Sequence, residues 1–324
     1  FKRISNSFDK FVNVSLKTDV EIASLSREYN IDIAVDLMGY TRENRFQIFV
    51  EKCAPIQVNY LGYPGTLGAE CIDYIIADKV LIPKESQKYF SEKIVYMPNS
   101  YQANDSKKKI SEKNFTREEL DLPKNGFVFC CFNARNKILP KTFDVWMNIL
   151  RRTKNSVIWL LESSEIGSKN LKKEATSRGM NPNRIVFAKP LPLDKHLARH
   201  KTADLFLDTF PYNAHTTCSD SLRVGIPVLT LQGESFASRV SSSLLNAVGL
   251  NELITHSSKE YEDKAVDFFN NLQSLKNIKK KLEINIDTKP LFNTKLFTKH
   301  IEQAYLEMQN KYNENKKTEN IEIK

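Results

Sequence analysis

The chain has 324 residues, 41% of them hydrophobic and 10% aromatic, so it can bury two domain-sized cores and is not a disordered polymer. Its formal charge of +9 rests largely on lysine runs such as 107–109, 279–281 and 316–317. These runs are not interleaved with aromatics on any one element, which argues against nucleic acid and leaves solvated helix ends or a phosphate-bearing ligand.

Short apolar runs bounded by Gly, Pro, Asn or Asp fall at 31–37, 57–60, 74–77 and 93–96, and again at 127–132, 156–161, 184–187, 205–207 and 227–230. Helix-period segments at 142–154, 168–178, 194–201, 217–225 and 236–248 separate the later runs. Continuous apolar strands alternating with amphipathic helices predict α/β architecture, with parallel sheets covered on both faces. Residues 126–288 read as a complete doubly wound domain. Residues 1–103 hold only about four strands, fewer than a full domain of this type carries. The chain also opens on Phe1, not Met, so this N-terminal Rossmann-like domain is expected to be incomplete. Residues 104–125 are polar and lysine-rich, and are expected to be an interdomain linker. Within 289–312, Leu296, Phe297, Ile301, Ala304, Tyr305 and Met308 recur at helical spacing, and the polar residues 313–324 are expected to fray.

Five cysteines, at 53, 71, 130, 131 and 218, form no C-x-x-C pair. An odd number without such spacing reads as reduced thiols of a cytoplasmic protein, not a disulfide framework or a zinc site. No run of 18 apolar residues predicts a membrane span, and no signal peptide opens the chain.

Chemistry concentrates in the loops that follow the strands. After the run 205–207 comes Phe210-Pro-Tyr-Asn-Ala-His-Thr-Thr-Cys-Ser-Asp220, a polar loop entering a helix. Thr216 or Thr217 is placed to cap that helix, its first-turn N–H groups and dipole suit a phosphate, and Asp220 one turn in can reach a ribose hydroxyl. An ordinary capped helix would look the same. After 127–132 comes Asn133-Ala-Arg-Asn-Lys137, where Lys137 can meet a diphosphate as a point charge; a lone loop lysine in solvent is the plainer reading. His196 and Arg199 are three apart on one helix face, where planar groups can stack on a base. In the first block, Gly39-Tyr40-Thr41 and Gly62-Tyr63-Pro64-Gly65-Thr66 also follow strands, and would face the same cleft if the two domains oppose each other. No D-x-D triplet occurs, so no metal or other cofactor is expected at the diphosphate; the positive charge would come from Lys137 and the helix terminus. The absence of G-x-G-x-x-G, a Walker A motif and G-x-S-x-G removes dinucleotide dehydrogenases, P-loop NTPases and α/β-hydrolases.

With these loops in view, the chain resembles the catalytic region of family 41 glycosyltransferases, the protein O-GlcNAc transferase family, over residues 31–310. The similar stretches include Ala54-Pro-Ile-Gln57, Leu61-Gly-Tyr-Pro-Gly-Thr66, Phe132-Asn133, Leu207-Asp-Thr209, His215-Thr-Thr217, Gly233-Glu-Ser-Phe-Ala-Ser-Arg239 and Pro290-Leu-Phe-Asn-Thr-Lys295. The resemblance implies a GT-B fold, two Rossmann-like domains facing across a cleft. It also implies metal-free, inverting transfer of N-acetylglucosamine from UDP-GlcNAc to Ser or Thr of acceptor proteins. By the same resemblance Lys137 matches the lysine that stabilises the leaving diphosphate, and His215, Thr216 and Thr217 match the pyrophosphate loop. Asp220 matches the ribose carboxylate, and His196 with Arg199 the uracil contacts. Three positions depart: Ala134, Asn136 and Leu193 stand where the family often has Gln, Tyr and Lys. The family's base-like His and its tetratricopeptide repeats lie upstream of the matching region, and no 34-residue repeat occurs here. Two alternatives stay open: another donor such as GDP-fucose or UDP-glucose, against the first of which His215 speaks, and a UDP-binding module without turnover.

Overall fold

The computed structural model describes residues 2–324. Its strands are β1 (Ile33–Asp36), β2 (Ile56–Asn59), β3 (Tyr74–Asp78), β4 (Lys93–Met97), β5 (Phe127–Cys131), β6 (Ser156–Leu161), β7 (Ile185–Ala188), β8 (Leu205–Leu207), β9 (Val228–Leu231), β10 (Ile254–Thr255) and β11 (Ile321–Glu322). All nine expected runs are strands. The described residues divide into two compact units: 2–77, 84–97 and 300–324 in the first, 78–83 and 98–299 in the second.

The first unit has a five-stranded sheet in the order β1-β2-β3-β4-β11. β1 and β2 run parallel, with Ile33 opposite Ile56 and Asp36 opposite Asn59. The loops leaving them are pinned together by glycine. Gly39 sits at φ +53, and a Cβ there would come within 2.4 Å of the Tyr63 Cβ. A Cβ on Gly62 would meet the Leu37 carbonyl oxygen at 2.0 Å, so the backbones touch where side chains cannot fit. A helix at Asp19–Glu28 precedes β1, started by a capping box in which Thr18 and Glu21 bond reciprocally. This helix was not among those expected, although its Thr18-x-x-Glu21 signature stands in the sequence.

The second unit has a six-stranded sheet in the order β10-β9-β8-β5-β6-β7. All of its pairs are parallel. Counted within the unit this is the doubly wound order, whose switch point lies between β5 and β8. Every residue of β5 is buried, as a central parallel strand requires.

Two expectations need correction. Residues 104–125 are not a free linker; they adhere to the second unit. Arg117 donates to the Gly126 carbonyl (2.7 Å) and the Thr202 carbonyl (3.1 Å) and pairs with Asp204 at 2.8 Å. The Ser111 amide donates to the Asp194 carbonyl at 3.1 Å. The polarity that suggested a linker is spent on these bonds. The tail does not fray throughout either. Ile321 and Glu322 form β11 alongside Val95 and Tyr96, and Ile321 and Ile323 are buried. Two apolar residues in a charged tail suffice to dock it on the sheet edge. The helix Thr294–Asn313 is shared: residues through 299 belong to the second unit, those from His300 to the first.

Candidate active site

In the second unit the loops after β5 and β8, the two strands flanking the switch point, meet on a buried carboxylate. Asp208 directly follows β8 and is fully buried. Its Oδ1 accepts from the Thr209 amide at 2.8 Å and the Ala214 amide at 2.7 Å, and its Oδ2 from the Thr230 hydroxyl at 2.7 Å. Burial raises its pKa, opposed by these hydrogen bonds and by the charge of Lys137. Asn133, after β5, donates to the Thr209 hydroxyl at 2.7 Å and accepts from the Thr217 hydroxyl. One asparagine thus ties the β5 loop to the β8 loop and to the first turn of the helix Thr216–Arg223.

Lys137 ends a short 3₁₀ turn, Arg135–Lys137, and is half-buried. Its Nζ donates to the Asn213 carbonyl at 2.8 Å and lies 4.0 Å from the centre of the Tyr212 ring. Burial lowers its pKa, while the Asp208 charge works the other way. The other face of this arrangement is His215, whose ring stacks on Tyr212 at 5.1 Å with 21° between planes. Burial first, and Lys137 second, push His215 down to about 3, and its Nε2 is buried with no hydrogen-bond partner.

The cap expected from Thr216 or Thr217 is not made. His215 holds the N-cap position without a side-chain bond, and the Thr217 hydroxyl turns to Asn133. The helix therefore begins with its first-turn amides uncapped by any side chain, the condition in which an anion can take their place. Thr216 is exposed beside them. Asp220 is one turn in, as the spacing requires, but its Oδ1 is ion-paired with Lys108. Lys108 belongs to a run whose local pattern reads as solvated charge, and nothing in that pattern marks it.

His196 and Arg199 share one face of the helix Leu193–His200. Arg199 is only 1% exposed, so its guanidinium is an internal support and not a platform for a base. Its Nε donates to His196 Nδ1 at 3.0 Å and its Nη1 to the Lys189 carbonyl. Arginine cannot accept, so His196 Nδ1 is the acceptor and its ring proton sits on Nε2, facing His200 Nε2 at 3.2 Å. Burial first, then Arg199, pushes His196 down to about 4. Phe132 packs against both imidazoles, its ring centre 5.0 Å from that of His196 and 4.4 Å from that of His200.

Both site histidines are therefore neutral in the folded chain. A folded-state pKa below the unfolded value means that the unfolded chain binds more protons in acid. The stabilising contribution is complete above the unfolded value, near 6.5, and is lost as pH falls through it toward 4 and 3. The expected result is ring C–H resonances of His196 and His215 that hold neutral positions from about pH 8 to about pH 5, with the urea midpoint level down to about pH 6.5 and falling below it. Either ring titrating at an ordinary histidine value would refute the burial argument.

The loops of the first unit form their own cluster. The Tyr40 hydroxyl donates to the Leu67 carbonyl at 2.8 Å, and its ring lies edge-on to Tyr63 at 5.7 Å. Thr66 donates to Glu92 Oε2 at 2.5 Å, and the Gly65 carbonyl accepts from Asn59 at 3.0 Å. Thr41 and Pro64 are carried in the same two loops, the Thr41 amide bonding to the Met38 carbonyl at 3.3 Å. Of the residues anticipated, Lys137, His215 and Thr217 converge on one point, and His196 with Arg199 form a neighbouring pair. The residues that organise the convergence are Asn133, Asp208, Tyr212 and Asn213. Sequence reasoning gives them no role, because they act by holding loops and their partners are distant in sequence.

Fold and site together define a two-unit α/β protein whose polar loops sit at the carboxyl ends of parallel strands. The chain belongs to glycosyl transferase family 41, whose family model matches residues 1–115 and 109–301. It is 38% identical over 315 residues to the "Probable UDP-N-acetylglucosamine--peptide N-acetylglucosaminyltransferase SEC" of Arabidopsis thaliana, covering 95% of this chain and 32% of that protein. It is 27% identical over 422 residues to the UDP-N-acetylglucosamine--peptide N-acetylglucosaminyltransferase of Caenorhabditis elegans, covering 96% of this chain and 37% of that one. The chain thus spans about a third of the length of the curated relatives it matches. Among solved structures, a lysine-to-methionine mutant of the Thermobaculum terrenum O-GlcNAc transferase superposes with a TM-score of 0.88 at 29% identity, over 95% of this chain and 58% of that one. This likeness places the architecture with the GT-B enzymes. Anabaena Alr3699/HepE in complex with UDP, at 14% identity and a TM-score of 0.61 over 88% of this chain and 82% of that one, shares the fold alone.

Proposed function

We propose that this chain forms catalytic machinery for transferring N-acetylglucosamine from UDP-N-acetylglucosamine to Ser or Thr hydroxyls of proteins, with inversion and without a metal. The observation that carries the reading is the Lys137 ammonium fixed beside the uncapped start of the helix Thr216–Arg223. These two positive features are placed to receive a diphosphate, and the names of the relatives supply the sugar and the acceptor. In the reaction the acceptor hydroxyl oxygen attacks the anomeric carbon from the face opposite the diphosphate and gives up its proton to water. The bond from that carbon to the phosphate oxygen breaks, and UDP departs with the electron pair. Lys137 and the first-turn amides, with Thr216 and Thr217, stabilise the charge that grows on the diphosphate. His215, neutral and stacked on Tyr212, lies beside the same group. Asp220 receives ribose hydroxyls once Lys108 yields, and His196, braced by Arg199, meets the uracil. Gly39, Tyr40, Thr41, Tyr63, Pro64, Gly65 and Thr66 are assigned to the acceptor side.

No helix among the described residues is long and apolar enough to cross a membrane. A cytoplasmic setting is our reading, supported by five free cysteines. Burial raises the pKa of the Cys130 and Cys218 thiols and keeps them protonated.

The test has two parts. Calorimetry should show UDP binding with unchanged affinity in excess chelator; loss of binding on chelation would contradict metal independence. Mass spectrometry of acceptor proteins incubated with a panel of UDP- and GDP-sugars should show N-acetylhexosamine on Ser or Thr from UDP-N-acetylglucosamine. Modification only from a GDP-sugar would overturn the donor assignment.

A further inference from the structure

The second unit carries a cavity of about 730 Å³ that the site above does not use. Five cations line it, Lys201, Arg223, Lys276, Lys279 and Lys280, against a single carboxylate, Glu283. Its position separates it from the candidate active site. Lys201 lies just before β8, and Arg223 at the end of the helix that leads into β9. The cavity therefore opens at the amino ends of those strands, whereas Lys137 and His215 follow carboxyl ends.

The protein neutralises these cations only in part. Lys279 pairs with Asp204 at 3.8 Å, outside the lining, but Arg117 holds the same carboxylate at 2.8 Å, and burial still lowers the Lys279 pKa. Arg223 uses Nη2 to reach the Ser106 carbonyl at 2.9 Å, but its Nε is shielded from solvent without a partner. Among the described residues Lys201, Lys276 and Lys280 make no ion pair. Lys276 and Lys280 stand four apart on the helix Leu272–Thr288, and Lys279 lies between them, so like charges are stacked along one rim. Such an arrangement is unfavourable when empty and favourable when an anion spans it. The volume is that of a small-molecule pocket, and lysines set around a concave wall suit the scattered oxygens of several phosphates.

We propose that this cavity binds a small free anion carrying two or more phosphate groups, at a site distinct from the one around Lys137. The assignment does not depend on the proposed transferase activity. The probe is inorganic tripolyphosphate, titrated calorimetrically into the chain with saturating UDP present, so that any phosphate affinity around Lys137 is already occupied. One tripolyphosphate should bind. Lys276→Ala with Lys280→Ala should weaken it by roughly 10-fold or more while UDP affinity stays unchanged, since both lysines are exposed and, among the described residues, make no ion pair. Lys316→Ala with Lys317→Ala, which removes the same charge from the tail, should leave it intact. Absence of binding, or equal loss in both double variants, would overturn the proposal. A parallel sedimentation arm uses phosphatidylcholine vesicles doped with phosphatidic acid. Capture by vesicles that depends on Lys276 and Lys280, without tripolyphosphate binding, would assign the cavity to a lipid headgroup and refute a free ligand.

Discussion

Replacing Lys137 by Met is expected to lower turnover at saturating donor by roughly 100-fold or more, the usual loss when one preorganised electrostatic contact is removed from a transition state. Negative charge accumulates on the diphosphate as the glycosidic bond breaks. A cation fixed at that point therefore favours the transition state over the bound donor. Lys137 is fixed: the Asn213 carbonyl holds Nζ at 2.8 Å and the Tyr212 ring covers it. Donor affinity should fall less, because the helix amides, Asp220 and His196 remain. The variant also has a second readout. Lys137 helps depress the His215 pKa, so its removal should let that imidazole take a proton at higher pH than in the parent chain. Weaker UDP binding with an unaltered saturating rate would make Lys137 a ground-state anchor and end its assignment to the leaving group.

The difference between what could and could not be read in advance follows from the range of the interactions involved. β5 through β9 announce themselves because each is a short run of apolar residues closed by a turn signal, the length and flanks of a strand in a parallel sheet. β10 and β11 have two residues each, too few for any pattern to register. Lys137 and the His215-Thr216-Thr217 loop are legible because they fall right after parallel strands, where open α/β sheets bind their ligands. Arg199 is legible as a neighbour of His196 but not as a buried one. Its exposure is set by Phe132 and Trp159, whose rings lie 5.7 and 5.6 Å from the guanidinium and which come from other parts of the sheet. Lys108 and Asp220 are 112 residues apart, and nothing local to either predicts the ion pair. The cap expected at Thr217 is lost for a related reason: Asn133, 84 residues away, competes for the hydroxyl.

Asp208→Ala is expected to destabilise the chain by about 3–5 kcal/mol and to weaken UDP binding, because its loss strands buried donors and removes the anion facing Lys137. The Thr209 and Ala214 amides both end on Oδ1, and both residues are fully buried, so water cannot replace the carboxylate. The Thr230 hydroxyl loses Oδ2. Asp208→Asn separates structure from charge. Its amide oxygen can still accept both backbone N–H groups, and its NH₂ can donate to the Thr230 hydroxyl, so the packing survives at a cost of about 1 kcal/mol. What Asn cannot supply is the negative charge that opposes the burial-driven fall in the Lys137 pKa. In that variant the lysine should shed its proton more readily, and turnover should decline with rising pH earlier than in the parent chain. Urea denaturation resolves the first claim and the pH–rate profile the second. If Asp208→Ala unfolded at the parent's urea concentration, the carboxylate would not be the post on which the β5 and β8 loops hang. If Asp208→Asn left the pH–rate profile unmoved, Lys137 would hold its charge without help from beneath.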